Sequence, residues 1–368
     1  MTALKAAAAT WRAAPLAGDE VVLDIQHLSK VFVSGRRSVH AVTDFNLMVR
    51  KGEVVGLVGE SGSGKSTVAR LVARLYQPTG GRIILNGREL RRGAGGRALR
   101  EYRRFVQMIF QDPFSSLNPL HTIEYVLTRP LAIHNIVPAR ERQNKVRELL
   151  ERCGLAPADT YANKYPSELS GGQRQRVGIA RALAASPSLI LADEPTSMLD
   201  VSIRLDIMNL LLDLRDQEGL SYLFITHDLA GARYVSDRIV VMYAGNLVEV
   251  GPSADVITSP LHPYTSLLKS AAPKPETGLA PERVEARGEV PDLAALPPGC
   301  PFEPRCPFAR AACRERLPEL INVGPRGQQA RCVLYDPKVM NGHPLDTRGI
   351  DASVAAGIIA LNDAAPSA

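Results

Sequence analysis

The stretch that most constrains this chain is Gly59-Glu60-Ser61-Gly62-Ser63-Gly64-Lys65-Ser66-Thr67. Before it, Val54-Val55-Gly56-Leu57-Val58 is an apolar run of strand length; after it, Val68, Leu71, Val72 and Leu75 recur at helical spacing. A glycine-rich loop between a strand and a helix is the setting in which G-x-x-x-x-G-K-[ST] cradles phosphate. The glycines let successive backbone N–H groups turn inward on phosphate oxygens, and the helix start adds its partial positive charge. Lys65 would reach the β- and γ-phosphates, and the Ser66 hydroxyl would ligate Mg²⁺. The pattern defines a nucleotide site.

At 368 residues the chain has room for a full core and for more than one domain. Its net charge of +6 and pI near 9.1 would suit an anionic partner. No Lys/Arg run or aromatic-interleaved basic patch stands out, so the charge reads as solvated surface and not as a nucleic-acid footprint. No apolar stretch reaches the ~18 residues of a membrane span. Met1 to Gly18 is Ala-rich, with Arg12 breaking any signal-peptide core, and reads as a disordered lead-in (1–20) within the cytoplasm. Work at a membrane would then run through a docked partner.

Strands are predicted at Val21–Ile25, Leu28–Phe32 and about Ala41–Val49, then at Arg82–Leu85, closed by Asn86-Gly87. Arg91–Arg97 reads as a surface loop and Val106–Phe110 as a strand. From about 112 to 185 the pattern turns helical. Ser188–Ala192 is a strand ending at Asp193-Glu194, and Leu205–Leu214 is an amphipathic helix. Tyr222–Thr226 is a strand ending at His227, and Ile239–Met242 with Asn246–Glu249 forms a hairpin. Strands alternating with helices predict an α/β fold with a mostly parallel sheet and a helical insertion. No internal repeat is visible, so one cassette is expected in the region 21–272.

The strand-end acids suit catalysis. In a parallel α/β sheet, ligands sit outside the carboxyl ends of the strands. Asp193 there can hold Mg²⁺, and Glu194 can orient or deprotonate an attacking water, a Walker-B role. His227 can hydrogen-bond a γ-phosphate through a neutral imidazole, and Gln111 can touch the metal or the water. Leu169-Ser170-Gly171-Gly172-Gln173 opens a helix and forms a second phosphate cradle by the same physics. One γ-phosphate hardly needs two cradles from one chain, so the second serves another subunit's nucleotide in a head-to-tail dimer. The alternative is a simple N-cap at Ser170.

The motifs come in the order phosphate loop, Gln111, Leu169–Gln173, then Leu189-Ile190-Leu191-Ala192-Asp193-Glu194-Pro195-Thr196. Ser197-Met198-Leu199-Asp200 and Thr226-His227-Asp228 follow. In that order they resemble an ABC-transporter ATPase subunit over roughly residues 21–270. The resemblance implies a P-loop NTPase of the ABC nucleotide-binding type, with a helical subdomain at about 112–185. It implies two cassettes sandwiching two ATP, each site joining one subunit's phosphate loop to the other's Ser170–Gln173. Phe32 matches the aromatic that stacks on adenine, and Asp200 matches the D-loop residue that couples the sites. Met198 stands where a smaller residue, usually Ala, is common.

Cys300, Cys306, Cys313 and Cys332 crowd the C-terminal part, while Cys153 lies apart on a helix as a core thiol. Disulfides are disfavoured in the cytosol, so four clustered thiols suggest a metal. Their spacing does not match paired C-x-x-C zinc ribbons, and four thiolates with irregular gaps suit an iron–sulfur cluster at least as well, with zinc as the runner-up. With His262-Pro263-Tyr264-Thr265, this stretch resembles the C-terminal extension of the oligopeptide/dipeptide branch of ABC importers, whose members have been associated with a [4Fe-4S] cluster on these cysteines. A small module at 273–337 and a disordered tail at 338–368 are expected, the module lacking the apolar periodicity for a core of its own.

The reading is therefore an ATP-hydrolysing subunit of a bacterial importer for short peptides, peripheral on the cytoplasmic face of the inner membrane. Its implied partners are a second ATPase subunit, two permease subunits contacted near Phe114–Pro119 and, indirectly, a periplasmic or extracellular peptide-binding protein. The rivals are a soluble ABC ATPase acting on ribosomes or DNA, and an importer of nickel or another small solute.

Overall fold

Val54–Val58 is buried at every position, as a strand covered on both faces must be. In the computed structural model, which describes residues 20–90, 93–271, 291–324, 326–340, 345 and 349–355, it is the central strand β3. Two strands precede it, β1 (Val21–Ser34) and β2 (Arg37–Arg50). They form an antiparallel sheet in the order β2-β1-β4-β5 with β4 (Gly80–Leu85) and β5 (Arg88–Glu89). The two short strands expected at 21–25 and 28–32 are one strand, with register shifts between Ile25 and Lys30.

The larger sheet has β3 at its centre. Its remaining strands are β6 (Val106–Ile109), β7 (Leu189–Asp193), β8 (Ser221–Thr226), β9 (Arg238–Tyr243), β10 (Asn246–Pro252), β11 (Ile321–Asn322) and β12 (Gln329–Ala330). Their order is β11-β12-β10-β9-β3-β8-β7-β6. Pairing is parallel from β6 through β9 and antiparallel beyond it. The sheet is mixed, because β9 and β10 are joined by the tight turn at Ala244-Gly245, which only an antiparallel pair can use.

Helix α1 (Lys65–Val72) follows the phosphate loop, and α2 (Gly96–Phe105) precedes β6. The helical insertion holds α3 (Ile123–Ile133), α4 (Arg142–Arg152), α5 (Ala158–Ala162) and α6 (Gly171–Leu183). Residues of alternate parity on the sheet separate two cores. Ile190, Ala192, Tyr222 and Phe224 pack with the helical insertion, whereas Leu189, Leu191, Leu223 and Ile225 pack with α1 and the small sheet.

The cysteine-bearing segment is no detached lobe. Its strand β12 pairs with β10 and so extends the main sheet. Phe302 is buried against Tyr243 and Tyr264, and Leu334 and Tyr335 pack with Leu261. The sequence shows no periodic face there because the segment shares a core with distant residues and builds none of its own. Most of the tails expected to be disordered, 1–20 and 338–368, lies outside the described residues, as do Arg91, Arg92 and the boundary at 272–273. Within 338–368, however, Gly349–Ala355 is helical and Ile350 is buried, its N–H donating to Pro260 O at 2.8 Å. That part of the tail is ordered by docking on the cassette.

Candidate active site

Because β6, β7, β8 and β3 run parallel, their carboxyl ends open on one edge of the sheet. The phosphate loop leaves β3 there, Gln111 follows β6, Asp193 ends β7 with Glu194 next, and His227 follows β8. Four chemically useful residue types from distant parts of the chain thus share one edge.

The loop's glycines are held by steric necessity. Gly64 sits at φ 104°, where a Cβ would meet Ala41 O at 2.3 Å, and Gly59 at φ 152°, where one would meet Met242 O at 2.2 Å. Lys65 Nζ donates to Gly59 O (2.7 Å) and Glu60 O (2.8 Å). Burial pulls its ammonium below the usual lysine value, opposed by the charges of Glu194, Asp193 and Glu60. Ser66 Oγ donates to Asp193 Oδ1 at 2.8 Å, and burial raises the Asp193 carboxyl above the usual range against that bond. A hydroxyl and a carboxylate brought together at a strand end are hard oxygen donors of the kind Mg²⁺ prefers, so these residues fit the ion.

Glu194 is gripped from both sides: Gln111 Nε2 donates to Oε2 at 2.9 Å, and His227 Nδ1 lies 3.1 Å from Oε1. Its backbone is left-handed, φ 47°, an unusual conformation for a residue with a side chain. Gln111 therefore stands with Glu194 and not with the Ser66–Asp193 pair. Phe32, near the end of β1, is partly exposed, with Tyr76 edge-on at 5.4 Å and Lys30 Nζ 4.8 Å from its ring centre. Tyr76 and Lys30 escape sequence reasoning, since neither lies in a motif.

Ser170 and Gln173 stand apart from this edge, at the start of α6. They form a reciprocal cap, Ser170 Oγ accepting from Gln173 N (3.3 Å) and Gln173 Oε1 from Ser170 N (3.0 Å). Gly172 packs so closely that a Cβ would meet Ile203 at 2.8 Å. The N-cap alternative is thus present, and Ser170 remains exposed. Asp200 precedes helix α7 (Val201–Glu218) at its N-cap position and is exposed, as is Met198.

All four C-terminal cysteines are free thiols lining one small cavity with His262 and Phe302. Burial pushes Cys300 up to about 11 and Cys306 up to about 12, and raises Cys313 and Cys332 as well. Among the described residues, no group of three or more His, Cys, Asp or Glu side chains is placed to hold a metal ion.

Fold and site together are those of an ATP-binding cassette. The family model "ABC transporter" matches residues 42–197, and "Oligopeptide/dipeptide transporter, C-terminal region" matches 248–313. The oligopeptide transport ATP-binding protein AppF of Bacillus subtilis (strain 168) is 44% identical over 328 residues, covering 87% of this chain and 99% of AppF. Among solved structures, a dimeric post-hydrolysis state of the ATP-binding cassette MJ0796 bound to ADP and Pi superposes with a TM-score of 0.56 at 32% identity, covering 63% of this chain and 98% of that one. The chain belongs to the ABC transporter family, in the branch that carries the oligopeptide/dipeptide C-terminal region.

Proposed function

We propose that this chain is the ATP-hydrolysing subunit of a bacterial importer for short peptides. The observation that carries the reading is the Glu194 carboxylate, held by Gln111 and His227 beside the Ser66–Asp193 pair at one sheet edge. Backbone N–H groups of residues 61–66 and the Lys65 ammonium bind the phosphates, and Phe32 with Tyr76 offers the adenine an aromatic face. Ser66 and Asp193 would hold Mg²⁺, which when bound offsets phosphate charge. Glu194 takes the proton of the attacking water, and His227 and Gln111 fix its direction. A second cassette completes the site with its own Ser170–Gln173, and Asp200 lies at the seam between the two.

The substrate class rests on the match to AppF, an oligopeptide transport protein, and on the C-terminal region. No helix among the described residues is long and apolar enough to cross a membrane. Membrane contact would fall to permease subunits docking near Gln111, where Phe114 and Leu120 are exposed. Phe114 also lies under Arg174 of α6, whose guanidinium is 4.2 Å from its ring centre, which ties that surface to the Ser170 cradle. Affinity capture from detergent-solubilised membranes tests the assignment: two permease subunits should co-purify, whereas ribosomal RNA or DNA in their place would overturn it.

For the cysteine cavity we favour an iron–sulfur cluster. Four cysteines line that cavity, an all-thiolate donor set of the kind such clusters use, although the described side chains form no ready-made metal site. The cluster's contribution would be structural, cross-linking the turns that carry Cys300, Cys306, Cys313 and Cys332. Protein purified without oxygen should be brown, with iron and acid-labile sulfide in equal amounts, and any one Cys→Ser change should bleach it. Stoichiometric zinc without sulfide, or a colourless metal-free protein, would contradict the assignment.

A further inference from the structure

The C-terminal segment reaches the phosphate loop through one side chain. Arg305 is buried, and its guanidinium donates to both Glu60 oxygens, Nη1 to Oε2 at 2.9 Å and Nη2 to Oε1 at 3.0 Å. Nη1 also reaches Tyr243 Oη at 3.2 Å, and the guanidinium lies near the rings of Tyr243 and Phe302. Glu60 is fixed at its backbone too, its N–H donating to Tyr264 Oη at 2.7 Å. We propose that Arg305 is a positioning residue for ATP binding, neutralising and anchoring Glu60 inside the phosphate loop.

The physical need is plain. Glu60 is an acid within a loop that must receive a polyphosphate, and its carbonyl also holds Lys65 Nζ. Left unpaired, its carboxylate would repel the incoming phosphates across a partly buried path, where charges are weakly screened. A bidentate guanidinium cancels that charge and fixes the side chain's direction in one contact. Arg305 immediately precedes Cys306, so the cysteine cavity and the phosphate loop share this strut.

The inference rests on the phosphate loop being the ATP site. Titration of the full chain with a fluorescent ATP analogue tests it. Arg305→Ala should raise the Kd about 10-fold, an effect of the size expected for losing one charge-assisted partner. Arg305→Ala should cost far less in a Glu60→Gln background than in the unaltered protein, so that the double variant recovers most of the loss, because the repulsion is gone. A merely structural role for Arg305 would give no such recovery. Should Arg305→Ala not fold, Arg305→Lys carries the test, with a smaller rise that Glu60→Gln again reverses. An unchanged Kd in the Arg305 variant, or a double variant as weak as the single, would overturn the proposal. Lys65→Ala separates the two readings: if it abolishes binding while the Arg305 variants bind normally, only the role of Arg305 fails.

Discussion

Lys65→Ala is expected to lower ATP hydrolysis by about 100-fold or more, the range seen when a positioned donor to developing charge is removed. Lys65 is the buried cation of the phosphate loop, and its Nζ is already held at the loop by Gly59 O and Glu60 O. Those carbonyls keep the ammonium from turning to solvent, so it would stand ready at the loop for the phosphates. Arg70 lies a turn further along α1 and is exposed, too far round the helix to substitute. Phosphate release measured at saturating ATP checks this; near-normal turnover would remove the loop from the mechanism.

Glu194→Gln is expected to bind ATP normally and hydrolyse it about 100- to 10,000-fold more slowly, the span of a lost general base. The amide preserves shape and can still meet His227, but it cannot accept a proton from water. Its NH₂ would also face Gln111 Nε2, which now donates to a carboxylate oxygen at 2.9 Å. Single-turnover kinetics separate the step from binding: the analogue's Kd should hold while the rate falls.

Much of this site is legible in the sequence because strands buried on both faces are continuous apolar runs, and the polar residue that ends such a run marks the sheet's working edge. Asp193-Glu194 after Leu189–Ala192 and His227 after Tyr222–Thr226 follow that rule. What each side chain touches is not legible. Gln111 and Glu194 are 83 positions apart, and their contact exists only because β6 and β7 are neighbours. The left-handed backbone at Glu194 carries no sequence sign, since it is imposed by the strand end and not by a glycine. The same holds for Arg305 and Glu60, 245 positions apart. The mixed sheet is legible only in part: the Ala244-Gly245 turn marks the antiparallel pair β9 and β10, whereas β11 and β12, at two residues each, are too short to show a pattern. The ordered helix near Ile350 is hidden because it docks on Pro260, 90 positions earlier in the chain, a contact that no local pattern announces.

Each ATP site is expected to be completed by the Ser170 cradle of a second cassette. Size-exclusion chromatography of Glu194→Gln with ATP and Mg²⁺ tests it most directly, with Ser170→Arg added in a second sample. Blocked hydrolysis should trap the first as a dimer. The second should stay monomeric, because a long cation would fill the cradle that must face the other subunit's phosphate. Two proteins eluting alike, both as monomers or both as dimers, would contradict the shared site.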